Sequence, residues 1–108
     1  MSRYFEPGPM DRDTLQAVLP VFIKELEELR DRLASAEARS DAEAAKRAVH
    51  QLRGTAGAFG AIGLHEQSAD IEDSLREQAL SRDELGQKLD QLCATVSATL
   101  AVIEAQYR

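Results

Sequence analysis

The sequence predicts an all-α protein, an antiparallel four-helix bundle with an N-terminal helical extension. Three observations carry the prediction. Apolar residues recur at alternating spacings of four and three over most of the chain, a period that gathers them on one face of a helix. Ser40-Asp41-Ala42-Glu43 and Ser81-Arg82-Asp83-Glu84 both have the form of a capping box, the signature of a helix start. Leu, Ala, Glu, Arg and Gln dominate the middle and end of the chain, and that mixture favours helix over strand. At 108 residues the chain fits one domain, expected over residues 11–108, and can bury a core without a metal or disulfide framework.

Residues 1–10 include Pro7, Gly8 and Pro9 together, which cannot hold a regular helix and read as a flexible arm. Leu15, Leu19, Phe22, Leu26, Leu29, Leu33 and Ala36 then form one face of a long first helix. Pro20 falls inside this run while the apolar register survives across it, which predicts a kink or a short helix abutting a longer one. A second helix should open near Asp41, carry Ala45, Val49, Leu52, Ala56 and Phe59 inward, and stop at Gly60 with Gly63. Leu64, Ser68, Ile71, Leu75 and Ala79 mark a third helix. The fourth begins at the second capping box and turns Leu85, Leu89, Leu92, Val96, Leu100 and Ile103 inward. Short links between successive helices favour antiparallel neighbours.

The formal net charge of −6 argues against a nucleic-acid or anionic-membrane binder, roles that need a concentrated positive surface; a local basic spot remains compatible with it. The lone Cys93 cannot form an intramolecular disulfide, and no apolar run resembles a signal segment or a membrane span. A cytoplasmic protein is the expectation.

The chemistry points to the second helix. Gly54, Gly57 and Gly60 sit in a segment that is otherwise helical, and each interior glycine costs about 1 kcal/mol relative to alanine. Arg53, Gly54 and Gly57 lie three, four and seven residues after His50 and share its face, so the missing side chains would clear space around the histidine. With Val49, Leu52, Ala56 and Phe59 turned inward, His50 should point toward the rim, within reach of another protein.

The run His50-Gln51-Leu52-Arg53-Gly54-Thr55-Ala56-Gly57-Ala58-Phe59-Gly60 resembles the His-x-Leu-Lys-Gly-x-Ala-x-x-x-Gly signature of histidine-phosphotransfer (HPt) domains. Leu64 and Ile71-Glu72 also fall where that family has them. The resemblance spans residues 13–107 in helix order, with its specific part in residues 46–75. It implies an elongated bundle of four antiparallel helices that takes a phosphoryl group on His50. The chain departs from the signature at Arg53, where lysine is commoner; arginine keeps the charge and can fork onto phosphate oxygens.

Hairpin geometry adds a partner for the histidine. If the second and third helices fold back around a loop near Ala61, residues whose numbers sum to about 122 lie level, and His50 and Glu72 meet that condition. A carboxylate there can accept the Nδ1 proton, fix the tautomer and leave Nε2 as nucleophile; the resemblance places an orienting Glu or Gln at the same position. The expected roles are His50 as phosphoacceptor, Glu72 as its orienter, Arg53 as phosphate stabiliser, Gly54 as the gap admitting a partner's loop, and Lys46 as added positive charge. Each has a plainer alternative: solvated charges for Glu72 and Arg53, and ordinary pairing with Glu43 for Lys46. His65 lacks glycine clearance and reads as a surface histidine, and Cys93 reads as a small buried hydrophobe. Two histidines and one dispersed cysteine make a zinc site improbable.

No Walker-type loop is present, so the chain should be a phosphocarrier and not an enzyme that uses ATP. By resemblance the partners are response-regulator receiver domains and a sensor or hybrid histidine kinase. No cofactor is expected on this chain; Mg²⁺ would sit on the receiver. A monomer docking through a patch around the His50 rim, including Ala58, Ala61 and part of the first helix, is the expected encounter. Two alternatives are a non-catalytic adaptor bundle and the phosphoacceptor module of a larger chemotaxis-type kinase.

Overall fold

Four helices make up the computed structural model, which describes residue 5 and residues 11–107, the side chain of residue 107 excepted. They are α1 (Arg12–Ala38), α2 (Ala42–Phe59), α3 (Ile62–Arg76) and α4 (Arg82–Tyr107), with no strand among the described residues. The flexible arm expected over residues 1–10 lies outside the described residues apart from Phe5. That ring is buried and stacks on Phe22 at 5.7 Å, and Phe22 stacks in turn on Phe59 at 4.4 Å.

The helix starts follow from short side chains that satisfy free backbone N–H groups. The Asp11 carboxylate accepts from the Thr14 N–H at 2.7 Å, and Asp41 from the Ala44 N–H at 3.0 Å. The capping box expected to begin at Ser40 is therefore not the one used: Ser40 sits at φ 51° in the turn that closes α1, its N–H donating to the Glu37 carbonyl. The second box is reciprocal, with Ser81 N–H donating to Glu84 Oε1 at 3.1 Å and Glu84 N–H to Ser81 Oγ at 3.2 Å. Between α2 and α3 only residues 60–61 intervene. Gly60 takes the left-handed conformation at φ 79°, which a side chain would strain, and Ala61 returns its N–H to the Ala56 carbonyl at 2.8 Å.

Helix α1 runs unbroken through Pro20, so the expected N-terminal extension is continuous with it and no separate short helix forms. Pro20 and Gln16 are both exposed, and the Gln16 carbonyl that loses its N–H partner faces water. All seven residues of the predicted α1 stripe are buried. In α2, Ala48 is buried with Ala45, Val49, Leu52 and Ala56, while Phe59 is half-buried. Helix α3 ends at Arg76, which leaves Ala79 outside the helix and exposed instead of on its inward stripe; the chain turns at Gln78, φ 54°. In α4, Leu85 and Leu100 are half-buried and Thr99 is fully buried. The Thr99 hydroxyl is satisfied by donating to the Thr95 carbonyl at 2.8 Å.

Each helix packs on its chain neighbours and α1 closes the bundle against α4. The α1–α4 pair is antiparallel: Glu37 lies by Gly86, and Arg30 donates to Ser97 at 3.3 Å. Dimensions are 43 × 22 × 19 Å, the long axis set by α1, whose 27 residues span about 40 Å at 1.5 Å each. No helix among the described residues is long and apolar enough to cross a membrane. The two-residue link makes α2 and α3 a tight hairpin, and that hairpin positions the site.

Candidate functional site

Two side-chain bonds from α1 hold α2 in its rotational position. Arg32 Nη1 donates to Gln51 Oε1 at 2.7 Å, and Thr55 Oγ1 donates to Glu25 Oε1 at 2.8 Å. With Val49 and Leu52 buried beneath, His50, one residue before the first brace, faces outward, its side chain 75% exposed.

Across the hairpin stands Glu72, a carboxylate only 11% exposed. Both of its oxygens are engaged: His50 Nδ1–H donates to Oε2, and Arg53 Nη1 donates to Oε1 at 2.7 Å. The Arg53 guanidinium, more than the His50 contact, holds the Glu72 carboxyl below its usual range against burial, which pulls the other way. An ionised carboxylate can only accept, so the proton of neutral His50 belongs on Nδ1. Nε2 is left as the lone-pair nitrogen of a largely exposed ring. The arrangement can present an imidazole nucleophile in one tautomer and stabilise positive charge that develops on it.

The other sequence candidates are placed as follows. Arg53 is 38% exposed and spends Nη1 on Glu72; its remaining N–H groups have no partner among the described residues. A Cβ built on Gly54 would meet nothing within 4 Å, so that position borders open space. Lys46 is exposed and makes no side-chain bond or ion pair among the described residues, including with Glu43. Ala58 is exposed, but Ala61, expected in the rim patch, is fully buried because it turns inward at the start of α3. Among the described residues, the large apolar side chains that remain exposed are Val21 on α1, at 61%, and Ile62 on α3, at 38%.

Gly57 and His65 depart from the sequence reading. The space over Gly57 does not belong to His50, because the His65 ring fills it: a Cβ on Gly57 would lie 3.0 Å from His65 Nδ1 and 3.2 Å from Cε1. His65 is accordingly half-buried, with Nδ1 bonded to the Arg53 carbonyl at 3.0 Å. The hairpin rule that levels His50 with Glu72 also levels Gly57 with His65, so their level was within reach of the sequence, though not that the ring would turn in to fill the gap. Gln51, Thr55 and their α1 partners were not, because polar surface residues at ordinary helical positions carry no mark of pairing across helices. Cys93 is half-buried, with burial as the main cause raising its thiol pKa.

Residues 17–102 match the family model described as Hpt domain. Neither a curated protein nor a solved structure matches the chain. The match takes in the whole of α2 and α3, most of α1 and α4 and the His50–Glu72–Arg53 cluster, and the chain belongs to the Hpt domain family.

Proposed function

We propose that this protein is a phosphocarrier that takes a phosphoryl group on His50 Nε2 from the aspartyl phosphate of one receiver domain and passes it to the aspartate of another. Hpt domains serve histidine phosphotransfer in two-component phosphorelays, working with kinases and receiver domains. The observation that carries the reading to this residue is the hydrogen bond from His50 Nδ1–H to a buried carboxylate, on a ring otherwise open to solvent.

In the forward step Nε2 attacks phosphorus in line, the N–P bond forms, and the P–O bond to the donor carboxylate breaks. Glu72 offsets the charge appearing on the ring. Arg53, with guanidinium N–H groups to spare, meets the transferred phosphoryl oxygens, and Lys46 adds positive charge one turn earlier. The open space at Gly54 admits the receiver's loop, and Val21, Ala58 and Ile62 supply apolar rim contacts for a small, transient interface. The receiver brings the Mg²⁺; this chain works as a cytoplasmic monomer and holds no cofactor.

The test is transfer of radiolabelled phosphoryl groups from a panel of phosphorylated receivers to the protein and to His50→Gln. Acid-labile, base-stable label on the unsubstituted protein alone supports the reading. Label from a purified kinase core but from no receiver would make it a kinase's phosphoacceptor module, and absence of label from every donor to a folded protein would leave a non-catalytic adaptor.

A further inference from the structure

The bonds around His50 continue beyond Glu72. His50 on α2 donates to Glu72 on α3, Arg53 on α2 donates to the same carboxylate, and the Arg53 carbonyl accepts from His65 on α3. A carbonyl oxygen can only accept, so the His65 proton on this bond is on Nδ1. The turn so tied is the weakest in α2, because Gly54 and Gly57 both lie in it and each lowers helix propensity by about 1 kcal/mol. At Gly57 that weakness serves the contact, since a methyl group at 3.0 Å from Nδ1 would force the imidazole to give by a few tenths of an ångström and disturb its bond to the Arg53 carbonyl.

We infer that His65 is a positioning residue for the phosphoacceptor: seated on Gly57 and bonded to the Arg53 carbonyl, it fixes the register of α3 against α2 and so keeps Glu72 beneath His50. This rests on the phosphocarrier reading. The hairpin is pinned at two levels, by His50 with Glu72 and by Gly57 and Arg53 with His65. Without the second pin, the register of α3 against α2 rests on the His50–Glu72 bond and on the packing of Leu64 and Ile71, which has no directional bond to fix the angle. Arg53 then no longer delivers its guanidinium to Glu72 at a fixed angle. A misplacement of about 1 Å suffices to cost up to 100-fold in a reaction governed by positioning.

The experiment compares His65→Ala, His65→Asn, Gly57→Ala and the Gly57→Ala/His65→Ala double variant. It reads the protonated ring nitrogen of His50 by long-range ¹H–¹⁵N NMR, together with the rate of phosphoryl transfer and Tm. His65→Ala is expected to release His50 from the single Nδ1–H tautomer and to slow transfer about tenfold. Asparagine carries an N–H donor at the position of Nδ1, so His65→Asn should restore both readouts. Gly57→Ala should reproduce the His65→Ala loss alone, yet add none in the double variant, where its better helix propensity raises Tm.

An unchanged His50 tautomer and transfer rate in folded His65→Ala would overturn the inference. Equal slowing by Gly57→Ala with and without His65 would do the same. The NMR arm needs no phosphoryl donor, so it decides the role of His65 even if the unsubstituted protein takes no label, a result that would sink only the phosphocarrier reading.

Discussion

At Glu72 one carboxylate serves two donors, and the two can be separated by substitution. Glu72→Gln keeps an oxygen for His50 Nδ1–H but removes the charge, so His50 should hold its tautomer while transfer slows about tenfold, near 1.4 kcal/mol of lost charge stabilisation. Glu72→Ala loses both and should slow transfer further, with the tautomer released; single-turnover transfer and ring ¹⁵N spectra distinguish the two variants. The same carboxyl sets a pH dependence. Its folded pKa is depressed below the ordinary 4.5, chiefly by Arg53, so its contribution to stability is present above pH 4.5 and is lost as pH falls through the lower folded value. Thermal unfolding followed from pH 7 to pH 3 should show an acid decline that Glu72→Gln reduces. Glu37 works in the opposite sense: its hydrogen bond with Asp90 raises its pKa, so what it contributes is present below 4.5 and fades as pH rises through the folded value.

Helix α2 and its C-cap hold three glycines, and they do three different things. Gly60 reverses the chain at positive φ, Gly57 seats His65, and Gly54 borders open space. Only at Gly54 can a methyl group be added without contact or strain. Gly54→Ala should therefore stabilise the fold by about 0.5–1 kcal/mol, read as a higher Tm. The same methyl narrows the approach to His50, one turn away, and transfer from a phospho-receiver should fall. A variant that gained stability and transferred at the original rate would show that the gap is not used by the partner. The capping residues show how local the helix starts are: Asp41 took the role of Ser40 because the turn closing α1 placed Ser40 at φ 51°, outside the extended conformation that an N-cap needs.

The bundle as a whole separates support from function. Its core is drawn from all four helices, whereas the site residues lie on α2 and α3 alone. Leu92 on α4 is fully buried and belongs to the support. Leu92→Ala should lower stability by about 3 kcal/mol in chemical unfolding, yet leave transfer at the original rate under conditions where the protein stays folded. A rate that fell with stability would mean that α4 packing reaches His50 through α3. In charge, too, the site stands apart: the chain is net −6, while exposed Lys46 lies one turn before His50 and Arg53 one turn after it, cations suited to an anionic phosphoryl group.

Much of this was determined by the sequence alone. The α1 stripe, the stop at Gly60, the second capping box and the level of Glu72 with His50 all follow from periodicity, capping motifs and hairpin counting, which act over a few residues and leave a regular trace, whereas Gly63, expected with Gly60 in the stop, lies inside α3. The end of α3 before Ala79, the burial of Thr99 in place of Leu100, and the inward turn of Ala61 did not, because each depends on how a neighbouring helix meets the surface. The occupant of the space over Gly57 was decided in the same way. A glycine records that a side chain is unwelcome, but which group fills the space is settled only when α3 folds back along α2 and brings His65 against it.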